Sequence, residues 1–368
     1  MKISVITMQG VYNYGSALQT YATQVFFEKL GYEVEVVDYY PKRMRNYGSL
    51  KQIYRDAIPF HKKRWKCILV ACCKYPSMRA LRKVFVPFSE RHIHKSGKYQ
   101  SNEDLIKSPP IADVYCTGSD QVWNDYLEAG FDTAYFLDFA PKGKKKVAYA
   151  ASFGRDDTKP QELVKVQQFL NEYSLITVRE ESGLVTLSET PVPQKECVTD
   201  PTFMLTGDEW MKIAPEIPYK DYILVYQLHE DSIVAETALR ISKELGKPLI
   251  RISSDVLKRI KGGKTIVAPR VEEFISYIAN ASLVVTDSFH ATAFSINLNV
   301  PFISIQWKMF NDRIGTILRK TGLTQRSVFS SDDAVMICRD KINFHEANEV
   351  IRQERAKSEM LFMKAFQE

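Results

Sequence analysis

The sequence predicts an α/β protein built from two Rossmann-like, doubly wound domains that face a central cleft. Three observations predict it. The chain opens on a β–loop–α–β pattern, a second β/α series starts near residue 222, and polar loops repeatedly follow strands on the edge where such sheets hold ligands. The 368 residues also exceed the ~250–300 at which a single core stops growing. The expected bounds are 1–205 for the first domain, with a basic helical insertion at about 42–98, and 222–342 for the second. Residues 343–368 read as a long final helix, and 205–221, with its prolines, as a linker.

Taken in order, residues 2–7 (Lys-Ile-Ser-Val-Ile-Thr) form the first strand. A loop through Asn13, Tyr14, Gly15 and Ser16 follows. A helix over 17–30 puts Leu18, Tyr21, Ala22, Val25 and Phe26 on one face, and Gly31 closes it. The strand at 33–39 comes directly after. Further strands are expected at 113–117, 146–150 and 175–178, a helix at 161–170, and a strand end and turn at 198–202. In the second series the strands are 222–226, 248–252, 283–287 and 302–305. The helices between them are 232–245, 271–280 and 291–297.

Charge narrows the function classes. Lysine and arginine number 50 and aspartate and glutamate 44, for a net +6, but residues 42–98 hold 16 basic residues against Asp56 and Glu90 alone. Apolar residues recur there at helical spacing: Leu50, Ile53, Tyr54 and Ile58, then Trp65, Ile68 and Leu69, then Met78, Leu81, Val84 and Phe85. Basic amphipathic helices suit an anionic membrane surface; a solvated helical insertion is the other reading. Nucleic acid is not expected, because no nucleic-acid signature accompanies the charge. Six cysteines without a CxxC pair give neither a disulfide framework nor a zinc site, and no metal set appears. The first ten residues are too short and polar for a signal peptide, and no apolar run reaches the ~18 residues of a membrane span. The expected location is cytoplasmic, peripheral to the inner face of the plasma membrane if the basic stretch meets lipid.

Six segments in order carry a family resemblance. They are Asn13-Tyr14-Gly15-Ser16-Ala17-Leu18-Gln19, Gly118-Ser119-Asp120-Gln121-Val122-Trp123-Asn124, Ala150-Ala151-Ser152-Phe153-Gly154, Val178-Arg179-Glu180, Thr199-Asp200-Pro201-Thr202 and Thr286-Asp287-Ser288-Phe289-His290. With them the chain resembles the polysaccharide pyruvyl transferase family over roughly residues 1 to 325. The resemblance implies a GT-B-like fold, phosphoenolpyruvate as co-substrate, and transfer of a pyruvyl unit to a sugar. The usual product is a cyclic ketal in a surface polysaccharide such as an exopolysaccharide or capsule, or in its lipid-linked precursor. Ser288 stands where many relatives carry arginine. The alternatives are a GT-B glycosyltransferase using a nucleotide sugar and a non-catalytic carbohydrate-binding protein of the same fold.

Such chemistry needs a proton donor, cations for a carboxylate and a phosphate, and bases for hydroxyls. His290 follows a strand at a helix start and is expected as general acid or phosphate contact. Arg179, Ser288, Lys308 and Arg313 are the expected donor-binding set. Asp120 is the candidate base for a sugar hydroxyl. Asn13, Tyr14, Gly15, Ser16, Gln121, Trp123 and Asn124 are expected around the acceptor, with Trp123 either stacked on a sugar or in the core. No cofactor is expected, and magnesium is left open.

Overall fold

The computed structural model describes residues 1–41, 44, 46–60, 63–125, 130–155, 157–158, 160–229, 233–306 and 312–367. The first domain is a parallel sheet of β1 (Lys2–Ile6), β2 (Glu33–Tyr39), β3 (Lys95–Tyr99), β4 (Val114–Thr117), β5 (Lys145–Ala151), β6 (Tyr173–Val178) and β7 (Gln194–Cys197). The second holds β8 (Tyr222–Tyr226), β9 (Leu249–Ser253), β10 (Lys264–Val267), β11 (Ala281–Thr286), β12 (Phe302–Ile305) and β13 (Ser327–Val328). The strand orders are β3-β2-β1-β4-β5-β6-β7 and β10-β9-β8-β11-β12-β13. Each sheet reverses its winding once, between β1 and β4 and between β8 and β11. A doubly wound sheet opens a ligand crevice at that reversal, outside the carboxyl ends of the strands.

The main helices are α1 (Tyr14–Lys29), α2 (Leu50–Ala57), α3 (Arg64–His92), α4 (Val234–Leu245), α5 (Val271–Ala279), α6 (Phe289–Asn297), α7 (Asp312–Lys320) and α8 (His345–Gln367). Helix α1 starts three residues ahead of the expected 17, because the Asn13 side chain accepts the Ser16 N–H and caps it there. Helix α6 likewise starts at Phe289, capped by Ser288. Strands β3, β10 and β13 were not expected, and of β7 only the end near 198 was. They sit at sheet edges or next to them and carry sequences such as KSGKY and QKEC, which lack the apolar run of a central strand. The expected linker contains a short helix, Gly207–Met211, closed by a reciprocal capping box between Thr206 and Glu209. The expected helix at 161–170 is a 3-10 turn (Pro160–Lys165) followed by one α-turn (Gln167–Leu170).

The basic insertion is a helical hairpin of α2 and α3. Leu81, Phe85 and Phe88 bury one face of α3 in the common core, whereas Ile58, Phe60, Trp65, Ile68 and Leu69 are exposed at its far end. The hairpin also reaches the second domain: Arg91 Nη1 and His92 Nε2 lie 2.8 and 3.2 Å from Glu272 Oε1. His92 and His94 therefore do not act as a pair, since His94 Nδ1 meets Glu28 at 2.9 Å.

Tyr14 and helix α8 also join the domains. Tyr14, on the first turn of α1, stacks on Phe274 of α5 with centroids 4.8 Å apart and planes 10° from parallel. Its hydroxyl donates to Pro269 O at 2.8 Å. Helix α8 then returns from the second domain to the first. Phe362 packs on Phe26, Phe27 and Tyr149, and Lys145 Nζ donates to Ala365 O at 2.5 Å.

Tyr14→Phe is expected to cost about 1 kcal/mol through the lost hydrogen bond, and Tyr14→Ala about 3–5 kcal/mol through the lost stacked ring. Urea denaturation followed by tryptophan fluorescence measures both; equal midpoints for the two variants would show that the ring carries no interdomain load.

Candidate active site

The loops after β1, β4, β6 and β7 converge on the start of α6. Beyond β4, Asp120 takes φ +79°, a left-handed conformation that few side-chain-bearing residues adopt and aspartate tolerates best. Its backbone is held there by a bridge to Ala151 and by the Ser152 N–H, which donates to its carbonyl at 3.1 Å. This turn aims the Asp120 carboxylate at two partners. Ser16 Oγ donates to Oδ2, and Arg179 Nη2 donates to Oδ1 at 3.2 Å.

Arg179 ends β6 with a side chain fully shielded from solvent. Its second arm, Nη1, donates to Asp200 Oδ2 at 2.8 Å, and Ser119 Oγ donates to the same oxygen at 3.0 Å. Asp200 Oδ1 accepts from Thr202 N and Oγ1 at 3.0 and 2.9 Å. Glu180 Oε1 accepts the Phe153 N–H at 2.9 Å, while its Oε2 lies 3.9 Å from Arg179 Nε and has no hydrogen-bond partner among the described residues. The guanidinium also lies over the Phe289 ring, 5.0 Å from its centroid.

His290 comes from the other domain. Its ring lies against the first turn of α1, where a Cβ on Gly15 would stand 1.9 Å from Nδ1, so no side chain fits at position 15 while the ring stays. Nε2 points toward Asp200 Oδ2 at 3.8 Å, too far for a hydrogen bond, and has no partner among the described residues. Arg313, near the start of α7, is half-buried beside this cluster and forms no hydrogen bond or ion pair among the described residues. Its neighbour Asp312 is occupied, accepting from Ser182 N at 3.0 Å and Arg319 Nη2 at 3.2 Å.

Burial and charge oppose one another here. Burial works to raise the Asp120 carboxyl, but Arg179, His290, Ser16 and the Gln121 N–H together hold it at about 2. Asp200 is lowered in the same way by His290, Arg179 and the Thr202 N–H. Burial raises Glu180 despite Arg179 and Arg313. Burial lowers His290 against the pull of Asp200 and Asp120, and Arg179 and Arg313 push the same way. Burial and the repulsion of Arg179 bring Arg313 down to about 10. At neutral pH the resting site thus holds an uncharged imidazole, two firmly ionised aspartates and one guanidinium with no carboxylate of its own.

The expected residues divide accordingly. His290, Asp120, Arg179, Arg313, Gly15 and Ser16 come together, and Asn13 caps the helix that presents the last two. Gln121 and Asn124 join them at the rim, bonded to each other at 2.8 Å and filling the space a side chain at Gly154 would need. Two expectations are corrected, for Arg179 and Tyr14, and for Trp123 one of two alternatives is decided. Arg179 was expected on a donor anion, but both arms of its fork are taken by Asp120 and Asp200. Tyr14 is an interdomain wedge, fully buried. Trp123 is a core residue, stacked on Phe136 at 5.3 Å with its Nε1 donating to Tyr135 O at 2.9 Å. Ser288 Oγ accepts the Ala291 N–H at 3.3 Å as the cap of α6, a bond that leaves the hydroxyl's own proton free to donate. A further change concerns Asp120 itself, because a carboxyl held at about 2 is a weak base and a strong hydrogen-bond acceptor. Lys308 lies outside the described residues. Asp200 was not among the expected site residues; its place in Thr-Asp-Pro-Thr, one of the six segments that carry the family resemblance, was the available signal. Among the described residues no group of three histidine, cysteine or acidic side chains is placed to hold a metal ion.

Two parallel-sheet domains meeting across a crevice, with the site at both winding reversals, define a GT-B-type enzyme architecture. Solved structures agree on the fold. UDP-GlcNAc 2-epimerase from Methanocaldococcus jannaschii, bound to UDP-GlcNAc and UDP, superposes with a TM-score of 0.53 at 16% identity, covering 96% of this chain and 99% of that one. UDP-N-acetylglucosamine 2-epimerase from Rickettsia bellii gives a TM-score of 0.55 at 12% identity, covering 98% and 96%. Comparison with curated protein sequences finds no match. The family model for polysaccharide pyruvyl transferase matches residues 13–309, and the chain belongs to that family.

Two outcomes follow for stability. Arg179→Met leaves Asp120 and Asp200 buried without their cation and is expected to cost about 3–5 kcal/mol, read by chemical denaturation; a loss below 1 kcal/mol would mean the pairs are not desolvated. The second concerns pH. Unfolded, His290 takes a proton near ~6.5, and folded it does so only at lower pH. Its stabilisation is full above ~6.5 and is lost as pH falls through the folded value. The Asp120 contribution is full above its ordinary value and is lost only toward about 2. Melting curves of wild type and His290→Gln between roughly pH 7.5 and 5 should diverge at the acid end, with the wild type falling more; parallel curves would refute the burial of an uncharged His290.

Proposed function

We propose that this chain transfers a pyruvyl unit from phosphoenolpyruvate to a pair of hydroxyls on one sugar of a surface polysaccharide or its lipid-linked precursor. The observation that carries the reading is His290 Nε2 and the nearby Arg313, both without a partner among the described residues, in a chain of the pyruvyl transferase family. Arg313 meets one anionic group of the donor. The donor's negative charge raises the His290 pKa, so the ring takes up a proton as the donor binds. His290 gives that proton to the terminal methylene carbon. A sugar hydroxyl then attacks the adjacent oxocarbenium-like carbon and its proton restores His290. Ser16, held by Asp120, orients this hydroxyl. A second hydroxyl closes the ring as the carbon–oxygen bond to phosphate breaks. The phosphate leaves with that electron pair and the second hydroxyl's proton. Atoms and charge balance without a cofactor.

The same reading places the enzyme against an anionic membrane surface. Ile58, Phe60, Trp65, Ile68 and Leu69 are exposed among Lys63, Arg64 and Lys66, the mixture that settles at a lipid headgroup boundary.

Phosphate release from phosphoenolpyruvate with candidate saccharide acceptors tests the chemistry. His290→Ala is expected to lower kcat by about 10²–10⁴, and Arg313→Ala to raise the KM for phosphoenolpyruvate. Because donor binding takes up a proton, that KM should rise with pH. A wild-type chain that releases no phosphate, yet is protected against heating by UDP, would replace this reading with a nucleotide-sugar enzyme.

A further inference from the structure

Beside the hairpin insertion lies a groove of about 740 Å³ between residues 47–50 and α3. Its lining mixes apolar Leu50, Met78 and Val86 with Arg79, Arg82 and Lys83, all but Leu50 from α3, and no carboxylate lines the groove. Among the described residues none of the three cations forms an ion pair or a hydrogen bond. Three exposed cations in one concavity, with no carboxylate among them, make a local positive potential that favours an anion. Arg79 and Lys83 are one helical turn apart, about 6 Å along the axis, which suits two adjacent phosphates.

The apolar lining selects among anions. Cys67, Ala71, Leu81, Phe85 and Phe88 mark the buried face of α3. Trp65, Ile68, Leu69, Arg79 and Lys83 fall on the opposite side at 3.6-residue spacing. The cations thus continue a surface whose far end is exposed and apolar. The groove also adjoins a second cavity of about 500 Å³ through the shared residues Tyr47, Arg82 and Val86. That cavity is lined by Gln9 and Gly10 of the β1–α1 loop and by Ala17, the neighbour of Ser16.

We infer that the groove is a binding site for the diphosphate of a lipid-carried saccharide. The inference rests on the pyruvyl-transfer reading for its acceptor. The lipid tail lies along exposed Trp65, Ile68 and Leu69, the diphosphate sits on Arg79, Arg82 and Lys83, and the sugar enters the adjoining cavity beside the β1–α1 loop. This assigns the insertion, which lies outside the six family segments, the task of choosing a lipid-diphosphate acceptor.

Vesicle flotation of the full chain tests it. Phosphatidylcholine vesicles carrying a low mole fraction of geranylgeranyl diphosphate are compared with plain phosphatidylcholine vesicles. A third set carries phosphatidylglycerol at matched charge. Wild type is expected to bind the diphosphate vesicles best, with inorganic diphosphate competing. The Arg79→Ala/Lys83→Ala variant, changed at two exposed helix positions, is expected to lose that preference by about tenfold or more. Equal recovery on diphosphate and phosphatidylglycerol vesicles would overturn the site in favour of plain surface attraction, and an unchanged preference in the variant would overturn it outright. Diphosphate binding without phosphate release from phosphoenolpyruvate would keep the groove and remove the pyruvyl reading, whereas release without diphosphate selectivity would do the reverse.

Discussion

The buried guanidinium of Arg179 is the constraint from which the site is built. A cation with no access to water must be compensated within hydrogen-bond reach, and Asp120 and Asp200 compensate it from two other loops. That requirement fixes the loops after β4, β6 and β7 relative to one another. It also accounts for the left-handed backbone at Asp120, since only that turn brings the carboxylate to Arg179 and Ser16 together. Through Ser16 the network reaches the first turn of α1, and so the surface against which His290 lies. An arginine that reads in the sequence as a ligand-binding group is instead the keystone that orients the groups able to bind one.

The arrangement keeps positive charge scarce at rest. Two ionised aspartates consume Arg179, His290 is held uncharged by burial, and Arg313 stands without a carboxylate of its own. Under the proposed pyruvyl transfer, a polyanionic donor charges the imidazole as it binds, so binding of the donor and activation of the acid are one event. Gly15 is part of this device. The absence of a side chain there lets a histidine from one domain rest on the helix start of the other, so the two halves of the site meet without an intervening layer.

Much of this was legible in the residues. The central strand Tyr222–Tyr226 was readable because burial on both faces makes it an apolar run, Glu33–Tyr39 because its valines recur between polar residues, and His290, Asp120, Ser16 and Gly15 because they follow strands at the ligand edge. Edge strands were not, since Lys95–Tyr99 and Gln194–Cys197 bury too little to be apolar. Nor could the sequence tell Trp123 and Tyr14 from sugar-stacking aromatics, because that depends on which way a ring turns. The fate of Arg179 hinged on Asp120 and Asp200, 59 and 21 residues away, and no local pattern encodes such a meeting. The hairpin is the converse case: its charge and helical spacing were plain in the sequence, but its groove exists only once α2 and α3 pack together.

The return of α8 has a consequence for how the molecule is made. Phe362 and Phe366 complete an aromatic nest begun by Phe26 and Phe27, so two stretches far apart in the sequence share one core. The aromatic surface of the first stays open until translation has passed through the second domain and α8. Until α8 covers it, that surface is a place where folding chains can stick to one another.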